Sequence, residues 1–260
     1  MTSCTAASKL TPMTKDTLRL NKYIAQCGVA SRRGADALIQ NGRVTVNGNK
    51  VESAGLQVDP ASDKVAVDGE EIALADTGDL VIMLHKPIET VTTSSDPQGR
   101  TTVMDLLPSA ITSKRPFTVG RLDYFSEGLL LITTNGELCN RMTHPKWHLP
   151  KVYEVRLRGE LKNEHIQEMQ NGMTLPEGEK LAPVKVRRLG AQQKIHTIEM
   201  TLIQGVNRQI RRMMDVFGLT ILQLKRVRQG PLLLGNLPVG KFRDLTEEEI
   251  KSLKQQLKFT

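Results

Sequence analysis

The start of the chain has the hydrophobic pattern of two short helices followed by short strands. Leu20, Ile24 and Cys27 recur at helical spacing, and Ser31 is placed to cap a second helix over residues 32–40. Apolar residues then alternate with polar ones around two turn signals typical of β-hairpins, Asn47-Gly48 and Asp68-Gly69. The pattern predicts a compact α+β unit of about 55 residues, which is near the lower size limit for independent folding.

Longer alternations of strand and helix patterns follow after residue 80. Six apolar or alternating runs predict strands: LVIMLHKP, LLLITT, KVYEVRLRG, VKVRRL, HTIEMTLI and ILQLKRVR. Helices are predicted at TVMDLLP, from Asn135 to Met142, near residues 162–170 and 207–217, and from Thr246 onward. Helices inserted irregularly among strands favour a larger α+β domain, in which a mixed, mainly antiparallel β-sheet has flanking helices.

A change in composition separates these two parts of the chain. The stretch from Val51 to Gly78 carries seven acidic residues against one lysine, and its turn-rich end is the best candidate for a linker. We expect residues 1–17 to be a disordered tail, because they lack the apolar segment of a signal peptide. The small unit then spans residues 18–75, the linker spans 76–80, and the larger domain spans 81–260.

Basic charge is concentrated in two segments of the chain. The sequence has 36 Lys and Arg against 28 Asp and Glu, which gives a net charge of +8 at pH 7. Six Lys or Arg oppose one acidic residue between Leu18 and Lys50, and six oppose only Asp215 between Gly205 and Gly230. Two separate basic segments predict two places where a polyanion such as a nucleic acid backbone is held.

Several classes of function are disfavoured by the sequence. No apolar run is long enough to cross a bilayer, and three scattered cysteines imply no disulfide framework, so we expect a cytoplasmic protein that does not bind membranes. The motifs of P-loop, dinucleotide-binding, serine-hydrolase and zinc-protease sites are missing. The nearest metal candidate, Cys139 with His144 and His148, is interrupted by Pro145 and has no clear fourth ligand, so we expect no metal site.

One carboxylate, Asp123, stands out in the segment VGRLDYFSEGLLL. An isolated Asp in such a loop is most often a turn residue that bonds to the following amides. A functional role is favoured by the position at the edge of a predicted sheet, by Arg121 two residues earlier, and by a later arginine cluster, NRQIRRMM. In that cluster we expect Arg208, Arg211 and Arg212 to share one side of a helix, either as a solvated basic face or as partners that keep the carboxylate ionised.

Several longer segments resemble known families. LRLNKYIAQCGVASRRGADALIQNGRVTVNG closely resembles the S4 RNA-binding domain. HKP, GRLDYFSEGLLL, KVYEV and NRQIRRMM, in this order and spacing, resemble the RsuA/RluB family of ribosomal RNA pseudouridine synthases, from about Leu18 to the C-terminal helix. The resemblance implies an isomerase that detaches the base of a ribosomal RNA uridine, rotates it and rejoins it through carbon 5, with no cofactor or metal.

The resemblance also implies roles for individual residues. Asp123 matches the catalytic aspartate, which is either a nucleophile at the sugar or a base at carbon 2 of the sugar, and the sequence leaves both mechanisms open. Arg211 matches an arginine that forms a salt bridge with this aspartate, and Tyr153 matches a tyrosine that stacks on the target base. Arg121 matches an arginine that helps to displace the base or fills its place, and Lys86-Pro87 matches a motif with a role in loop architecture.

The match has departures within the loop around Asp123. Ser126 stands where Thr is usual and keeps the hydroxyl group. Tyr124 and Phe125 are unusually bulky neighbours of Asp123, which indicates either core filling or an altered approach to RNA.

The expected partner is ribosomal RNA, bound by a monomer. Phosphate contacts are predicted for both parts of the chain, and the RNA-binding candidates are Arg19, Lys22, Arg32, Arg33, Arg43, Arg121, Arg208 and Arg212. The segment DPQGRTTVMDLLP resembles the large-subunit branch of the family, which favours 23S RNA as the substrate. The alternatives are a 16S enzyme, a tRNA-modifying enzyme, and a non-catalytic RNA-binding or ribosome-assembly factor. The combination of Asp123, Arg211 and Tyr153 favours an enzyme.

Overall fold

The computed structural model describes residues 17–74, 78–147 and 149–259. The chain divides into two compact units between Gly78 and Asp79. The predicted tail, residues 1–17, lies outside the described residues except for Thr17, and so do the first two residues of the predicted linker, 76–80. No helix within these described ranges is long and apolar enough to span a bilayer.

The described part of the first unit contains two helices and six short strands. In chain order they are β1 (Leu18–Arg19), α1 (Leu20–Gln26), α2 (Arg32–Gln40), β2 (Val44–Val46), β3 (Asn49–Lys50), β4 (Gln57–Val58), β5 (Val65–Val67) and β6 (Glu70–Ile72). β1 pairs with β4, and a second sheet has the order β3-β2-β5-β6, with antiparallel pairing in both. The two predicted hairpin turns are confirmed, since their Asn-Gly and Asp-Gly pairs have the positive φ angles that a tight hairpin turn favours.

The helices of this unit form where the sequence signals them. The Oγ of Ser31 accepts a hydrogen bond from the backbone N–H of Gly34 at 3.0 Å, so the predicted N-cap of α2 is confirmed. Leu20, Ile24 and Ile39 are fully buried and pack with valines of the short strands. The apolar sides of both helices therefore build the core of the unit.

The second unit contains the remaining elements. They are β7 (Val81–Lys86), α3 (Ser109–Thr112), β8 (Phe117–Thr118), β9 (Glu127–Thr133), α4 (Gly136–Thr143), a 3₁₀ turn (Pro145–Trp147), β10 (Lys151–Arg158), α5 (Asn163–Asn171), β11 (Lys185–Gln192), β12 (Ile195–Leu202), α6 (Gln209–Val216), β13 (Thr220–Gln229), β14 (Leu232–Leu233), β15 (Phe242–Asp244) and α7 (Glu247–Gln256).

One sheet organises the second unit. Its strands have the order β11-β12-β10-β13-β9-β7-β15, with β8 beside β9 and β14 beside β13. The pairing of β9 with β13 is parallel, and the others are antiparallel. The predicted α+β class, with a mixed and mainly antiparallel sheet, is therefore confirmed.

Strands β7 and β9 are neighbours towards one end of the sheet and have an apolar cluster on each face. Alternate residues of the two strands enter two different apolar clusters, one holding Ile82, Leu84, Leu130 and Ile132 and the other holding Val81, Met83, Leu129 and Leu131. Both faces of the two strands are thus buried, which explains why LVIMLHKP and LLLITT are continuous apolar runs. Such a doubly covered pair gives a rigid support for the loop that enters β9.

Most predicted elements of the second unit are confirmed, but one helix is wrong. All six predicted strands form, and Asn135 caps α4 by accepting a hydrogen bond from the N–H of Leu138 at 2.7 Å. The segment TVMDLLP, residues 102–108, is a turn instead of a helix. Its Asp105 carboxylate accepts hydrogen bonds from the N–H (2.8 Å) and hydroxyl (3.0 Å) of Thr102, which closes a local turn, and the helix begins only after Pro108.

Candidate active site

The loop of residues 120–126, between β8 and β9, carries Asp123 at the edge of the central sheet. The side chain of Asp123 is 34% exposed. Each backbone carbonyl from residue 122 to residue 126 accepts a hydrogen bond. Lys86 Nζ donates to the carbonyls of residues 123 (3.1 Å) and 126 (2.9 Å). Thr92 Oγ1 donates to residue 122 (2.7 Å), Glu89 N to residue 124 (2.8 Å) and Arg211 Nη2 to residue 125 (2.8 Å). These five bonds tie the loop to β7, to α6 and to the segment of residues 89–92.

Arg211 approaches this loop from α6. Its Nε lies 3.7 Å from Oδ2 of Asp123, and its Nη2 donates to the carbonyl of Phe125 and, at 3.1 Å, to the hydroxyl of Ser126. The Arg211 side chain is only 15% exposed. Burial lowers the pKa of its guanidinium, while the neighbouring Asp123 carboxylate acts in the opposite direction. The predicted proximity of Arg211 to Asp123 is thus present as a loose ion pair.

Lys86 binds the same loop from the end of β7. Its side chain is fully buried at the end of β7, and its Nζ donates to the carbonyls of Pro87 (2.8 Å), Asp123 and Ser126. Burial lowers the pKa of this ammonium group to about 8, and the nearby Asp123 carboxylate partly offsets the effect. Lys86 therefore fixes both ends of the turn that carries Asp123, in agreement with a role in loop architecture.

A row of paired positions runs across the sheet next to this loop. Gly128 of β9 pairs with Lys86 of β7 on one side and with Arg226 of β13 on the other, and Arg226 pairs with Tyr153 of β10. Gly128 has φ +113°, and a Cβ at this position would lie 2.3 Å from the carbonyl oxygen of Arg226. Only glycine permits this close approach of β9 and β13.

Arg226 is a buried cation that our sequence reasoning did not single out. Its Nε donates to the carbonyl of Leu129 at 2.7 Å, while its Nη2 has no hydrogen-bond partner among the described residues. Arg226 contributes to lowering the pKa of both Lys86 and Lys151, for which burial is the larger cause. A sequence signal existed, because Arg226 lies two positions after the buried Leu224 on the inward side of a strand.

Tyr153 lies on β10, with its ring packed partly against two apolar clusters. Its register opposite Arg226 places it three strands from Lys86, in the row that contains Gly128 at the start of β9. Asp123, Arg211 and Tyr153, far apart in sequence, are therefore carried by neighbouring parts of one sheet and its covering helix.

Arg208, Arg211 and Arg212 lie together at the start of α6, where Arg208 and Arg211 line one pocket. Arg208 precedes the helix in a left-handed conformation, with φ 49° and ψ 30°. Arg212 forms ion pairs with Glu179 at 2.7 Å and Glu177 at 3.1 Å. Arg208 is therefore the cap residue of α6 instead of part of the helix, and any contact of Arg212 with RNA competes with two carboxylates. Arg121 is exposed and forms no ion pair with a described residue.

The basic residues predicted to bind RNA in the first unit lie at its surface. Arg19, Arg32 and Arg33 are exposed, Lys22 is partly exposed, and none of the four pairs with an acidic side chain in the described part of the chain. Arg43 is different, since its guanidinium forms a two-pronged ion pair with Asp68, including a 2.7 Å bond from Nε. Four of the five candidates therefore carry a charge that no acidic side chain in the described ranges neutralises.

The metal candidate of the sequence is only partly described. His148 lies outside the described residues, Cys139 donates to the carbonyl of Thr118 at 3.7 Å, and His144 Nδ1 accepts from the N–H of Lys146 at 3.1 Å. Within the described ranges, no three His, Cys, Asp or Glu side chains are grouped closely enough to hold a metal ion.

Comparison with known proteins assigns each of the two units to a known family. A model of the S4 domain matches residues 18–65, and a model of RNA pseudouridylate synthases matches residues 80–215. A crystal structure of a pseudouridylate synthase has a TM-score of 0.65 to this chain at 27% sequence identity, and the match covers 91% of this chain and 99% of that structure. The fold, the site and these matches together define an RNA-modifying enzyme with a separate RNA-binding unit.

Curated relatives are similar over nearly the whole chain. An uncharacterized RNA pseudouridine synthase of Aquifex aeolicus is 38% identical over 237 residues, which is 91% of this chain and 93% of the relative. The ribosomal large subunit pseudouridine synthase B of Bacillus subtilis is 37% identical over 238 residues, with coverage of 91% and 95%. The chain therefore belongs to the RNA pseudouridylate synthase family, whose members isomerise uridine in RNA to pseudouridine.

Proposed function

We propose that this protein converts a uridine of the large-subunit ribosomal RNA, the 23S RNA, into pseudouridine. The observation that carries the proposal is the approach of Arg211 to Asp123 on a loop whose carbonyls from residue 122 to residue 126 are all hydrogen-bonded, within a region that matches the synthase family. The relative from Bacillus subtilis named for the ribosomal large subunit supports the choice of RNA. The enzyme would act as a monomer in the cytoplasm, where ribosomes are made.

In this proposal Asp123 is the group that reacts with the target nucleotide. As a nucleophile, its carboxylate attacks C1′ of the ribose while the electron pair of the C1′–N1 bond leaves with the uracil. As a base, it instead removes the proton from C2′, the electron pair of the C2′–H bond forms the C1′=C2′ double bond of a glycal, and the uracil leaves with the pair of the C1′–N1 bond. Both routes need a carboxylate oxygen that the sugar can reach, and the partial exposure of Asp123 beside the buried Arg211 meets that requirement.

Arg211 and Lys86 position this carboxylate in the proposed mechanism. Arg211 places positive charge 3.7 Å from the carboxylate, and its Nη2 donates to the carbonyl of Phe125 in the same loop. Lys86 fixes the carbonyls on either side of the turn. Because neither cation donates a short hydrogen bond to the carboxylate, its oxygens remain available to the sugar.

Tyr153 and Arg121 would act on the base instead of the sugar. A uridine must leave its stack before Asp123 can reach C1′, and an aromatic face then receives the extruded base. Tyr153 is proposed for that contact, and the exposed Arg121 is proposed to help displace the base from the RNA.

The first unit would supply affinity for structured RNA. Arg19, Lys22, Arg32 and Arg33 carry charges that no acidic residue neutralises within the described residues, so they can neutralise phosphates. Arg43, Arg208 and Arg212 are proposed as further contacts, and of these Arg43 and Arg212 must exchange an existing ion pair for a phosphate. Phosphate contacts of this kind fix position more than sequence.

Mapping pseudouridines tests the proposed substrate. Ribosomal RNA from cells that lack this gene is incubated with the purified protein, and every new pseudouridine is located by chemical modification and reverse transcription. We expect a new site in the large-subunit RNA. A site confined to small-subunit RNA would correct the substrate, and the absence of any new pseudouridine would contradict the proposed activity.

A further inference from the structure

Phe125 is the most exposed large hydrophobic residue in the described part of the chain, at 59%. Single exposed apolar side chains are common on protein surfaces. The chain, however, has only five Phe, three Tyr and one Trp, and this one lies two residues after Asp123. An exposed aromatic ring beside the proposed reaction centre calls for a functional explanation.

The backbone below this ring is held in place. The carbonyl of Phe125 accepts a hydrogen bond from Arg211 Nη2 at 2.8 Å, and the carbonyls on either side accept from Glu89 N and Lys86 Nζ. The N–H of Ser126 donates to the carbonyl of Asp123 at 3.0 Å and closes the turn. Phe125 is therefore exposed on a rigid loop, so a ligand that contacts the ring does not have to order the backbone first.

The ring of Tyr124 supports the ring of Phe125 from one side. The two ring centroids are 4.9 Å apart with an interplanar angle of 80°, which is an edge-to-face contact. This contact restricts the orientation of the Phe125 ring while most of the residue stays open to solvent. The two bulky residues thus have different roles: Tyr124 supports the ring of Phe125, and Phe125 is an exposed aromatic platform.

Charge next to this platform favours a nucleic acid as its occupant. Arg121 and Arg208 are exposed, form no ion pair with a described residue, and belong to the loop of Asp123 and to the start of α6, respectively. Exposed arginines attract the phosphate backbone, and an aromatic face offers a stacking surface to a base of any identity. An apolar protein partner would gain nothing from these charges.

We propose that Phe125 is a base-stacking residue, which receives the face of a nucleotide that neighbours the target uridine when the uridine leaves its stack. The proposal rests on the proposed function, because only an enzyme that extrudes a base leaves a neighbouring base without its stacking partner. The ring of Phe125 replaces part of the lost stacking. It also defines which RNA conformation fits over Asp123.

The test uses the full-length protein and a fragment of large-subunit RNA that contains the mapped uridine. The fluorescent base 2-aminopurine is placed in turn on each side of that uridine. Phe125→Leu keeps an apolar side chain but removes the aromatic face, and Phe125→Trp keeps the aromatic face. Leu233→Ala is the matched control, since Leu233 is 57% exposed on β14 of the same unit.

We expect the wild type and Phe125→Trp to change 2-aminopurine fluorescence at one of the two positions, and Phe125→Leu to lose that change. The single-turnover rate of Phe125→Leu should fall by about tenfold or more, as the loss of one stacked base implies. Leu233→Ala should match the wild type in both measurements. All variants should melt within about two degrees of the wild type, because the altered side chains are exposed.

Wild-type rate and fluorescence change in Phe125→Leu would overturn this proposal and leave the proposed function intact. That result would also point to a protein partner for the ring, or to none. The absence of pseudouridine in the wild-type reaction would instead contradict the proposed function itself. Asp123→Asn separates the two further, since it should keep the fluorescence change while forming no product.

Discussion

Arg211 lies with its Nε 3.7 Å from Oδ2 of Asp123, yet it donates its short hydrogen bonds to the carbonyl of Phe125 and the hydroxyl of Ser126. The Nε itself has no hydrogen-bond partner within the described residues. A carboxylate locked in a bidentate pair would have its oxygens occupied. The observed arrangement gives Asp123 a nearby positive charge and leaves its oxygens accessible.

Replacing Arg211 with Lys separates the two functions of Arg211, which are a positive charge near Asp123 and hydrogen bonds to the loop. Lysine keeps the charge but lacks the planar fork that reaches two loop acceptors. We expect the single-turnover rate of Arg211→Lys to fall about a hundredfold, as the loss of a preorganised donor does, with RNA affinity within about threefold of the wild type. Arg212→Lys is the matched control, because Arg212 faces two glutamates instead of the loop. Equal activity of both variants would contradict the role given to Arg211.

Lys86 makes the stability of the protein depend on pH in a defined window. Its pKa in the folded protein is about 8, below the value of 10.5 for an exposed lysine. Between these values the unfolded chain binds one more proton than the folded chain, so this residue makes the free energy of unfolding rise with pH. Below about pH 8 the buried charge imposes its full cost.

Urea unfolding of the wild type and Lys86→Met at pH 7, 8, 9 and 10 measures this effect. We expect the wild type to gain up to about 1.4 kcal/mol per pH unit relative to the variant between about pH 8 and 10. The variant should be less stable at every pH, because the carbonyls of Pro87, Asp123 and Ser126 each lose a hydrogen bond, and that of Asp123 keeps another one, from the N–H of Ser126. A constant difference across the range would show that Lys86 keeps an ordinary pKa.

Gly128→Ala should disrupt the pairing of β9 with β13. The new Cβ would lie 2.3 Å from the carbonyl oxygen of Arg226, at a φ of +113° that side chains rarely adopt. We expect a loss of about 3 kcal/mol in the free energy of unfolding, from steric overlap and backbone strain together. Gly190→Ala is the control, since a Cβ there has no atom within 4 Å. Thermal unfolding of both variants distinguishes a local clash from a general effect of removing glycine.

Tyr153 is expected to act through its ring face. Its hydroxyl donates to no described residue, so Tyr153→Phe should keep kcat/KM within about twofold. Tyr153→Leu removes the face that stacks on a base, and kcat/KM should fall by about tenfold to a hundredfold. Steady-state kinetics on the same RNA fragment measure kcat/KM for both variants. A large loss in Tyr153→Phe would assign a chemical role to the hydroxyl instead.

The sequence predicted elements best where one local interaction decides the structure. Ser31 and Asn135 each cap a helix with a single side-chain oxygen, and both caps form as predicted. The prediction of a helix at TVMDLLP was wrong. Thr102 and Asp105 have the spacing of a helix start but bond to each other in a turn, and Pro108 follows too soon for a helix to form.

The candidate site was predictable in part. The sequence and its resemblance to the pseudouridine synthase family predicted Asp123, Arg211 and Tyr153 as site residues. Their roles stay predictions. The two cations beside Gly128 depend on strand register, which pairs Lys86 and Arg226 with one residue from opposite sides. Register across a mixed sheet is a long-range property, so no local pattern could reveal that row.

The most direct test of the central claim is the yield of pseudouridine in RNA treated with Asp123→Asn. The amide has nearly the same shape but neither attacks C1′ nor removes a proton from C2′. We expect the rate to fall by at least about 10⁴-fold with RNA binding unchanged, while Asp244→Asn, a change of an exposed Asp on β15, behaves as the wild type. Pseudouridine formed by Asp123→Asn at a rate close to that of the wild type would contradict the account.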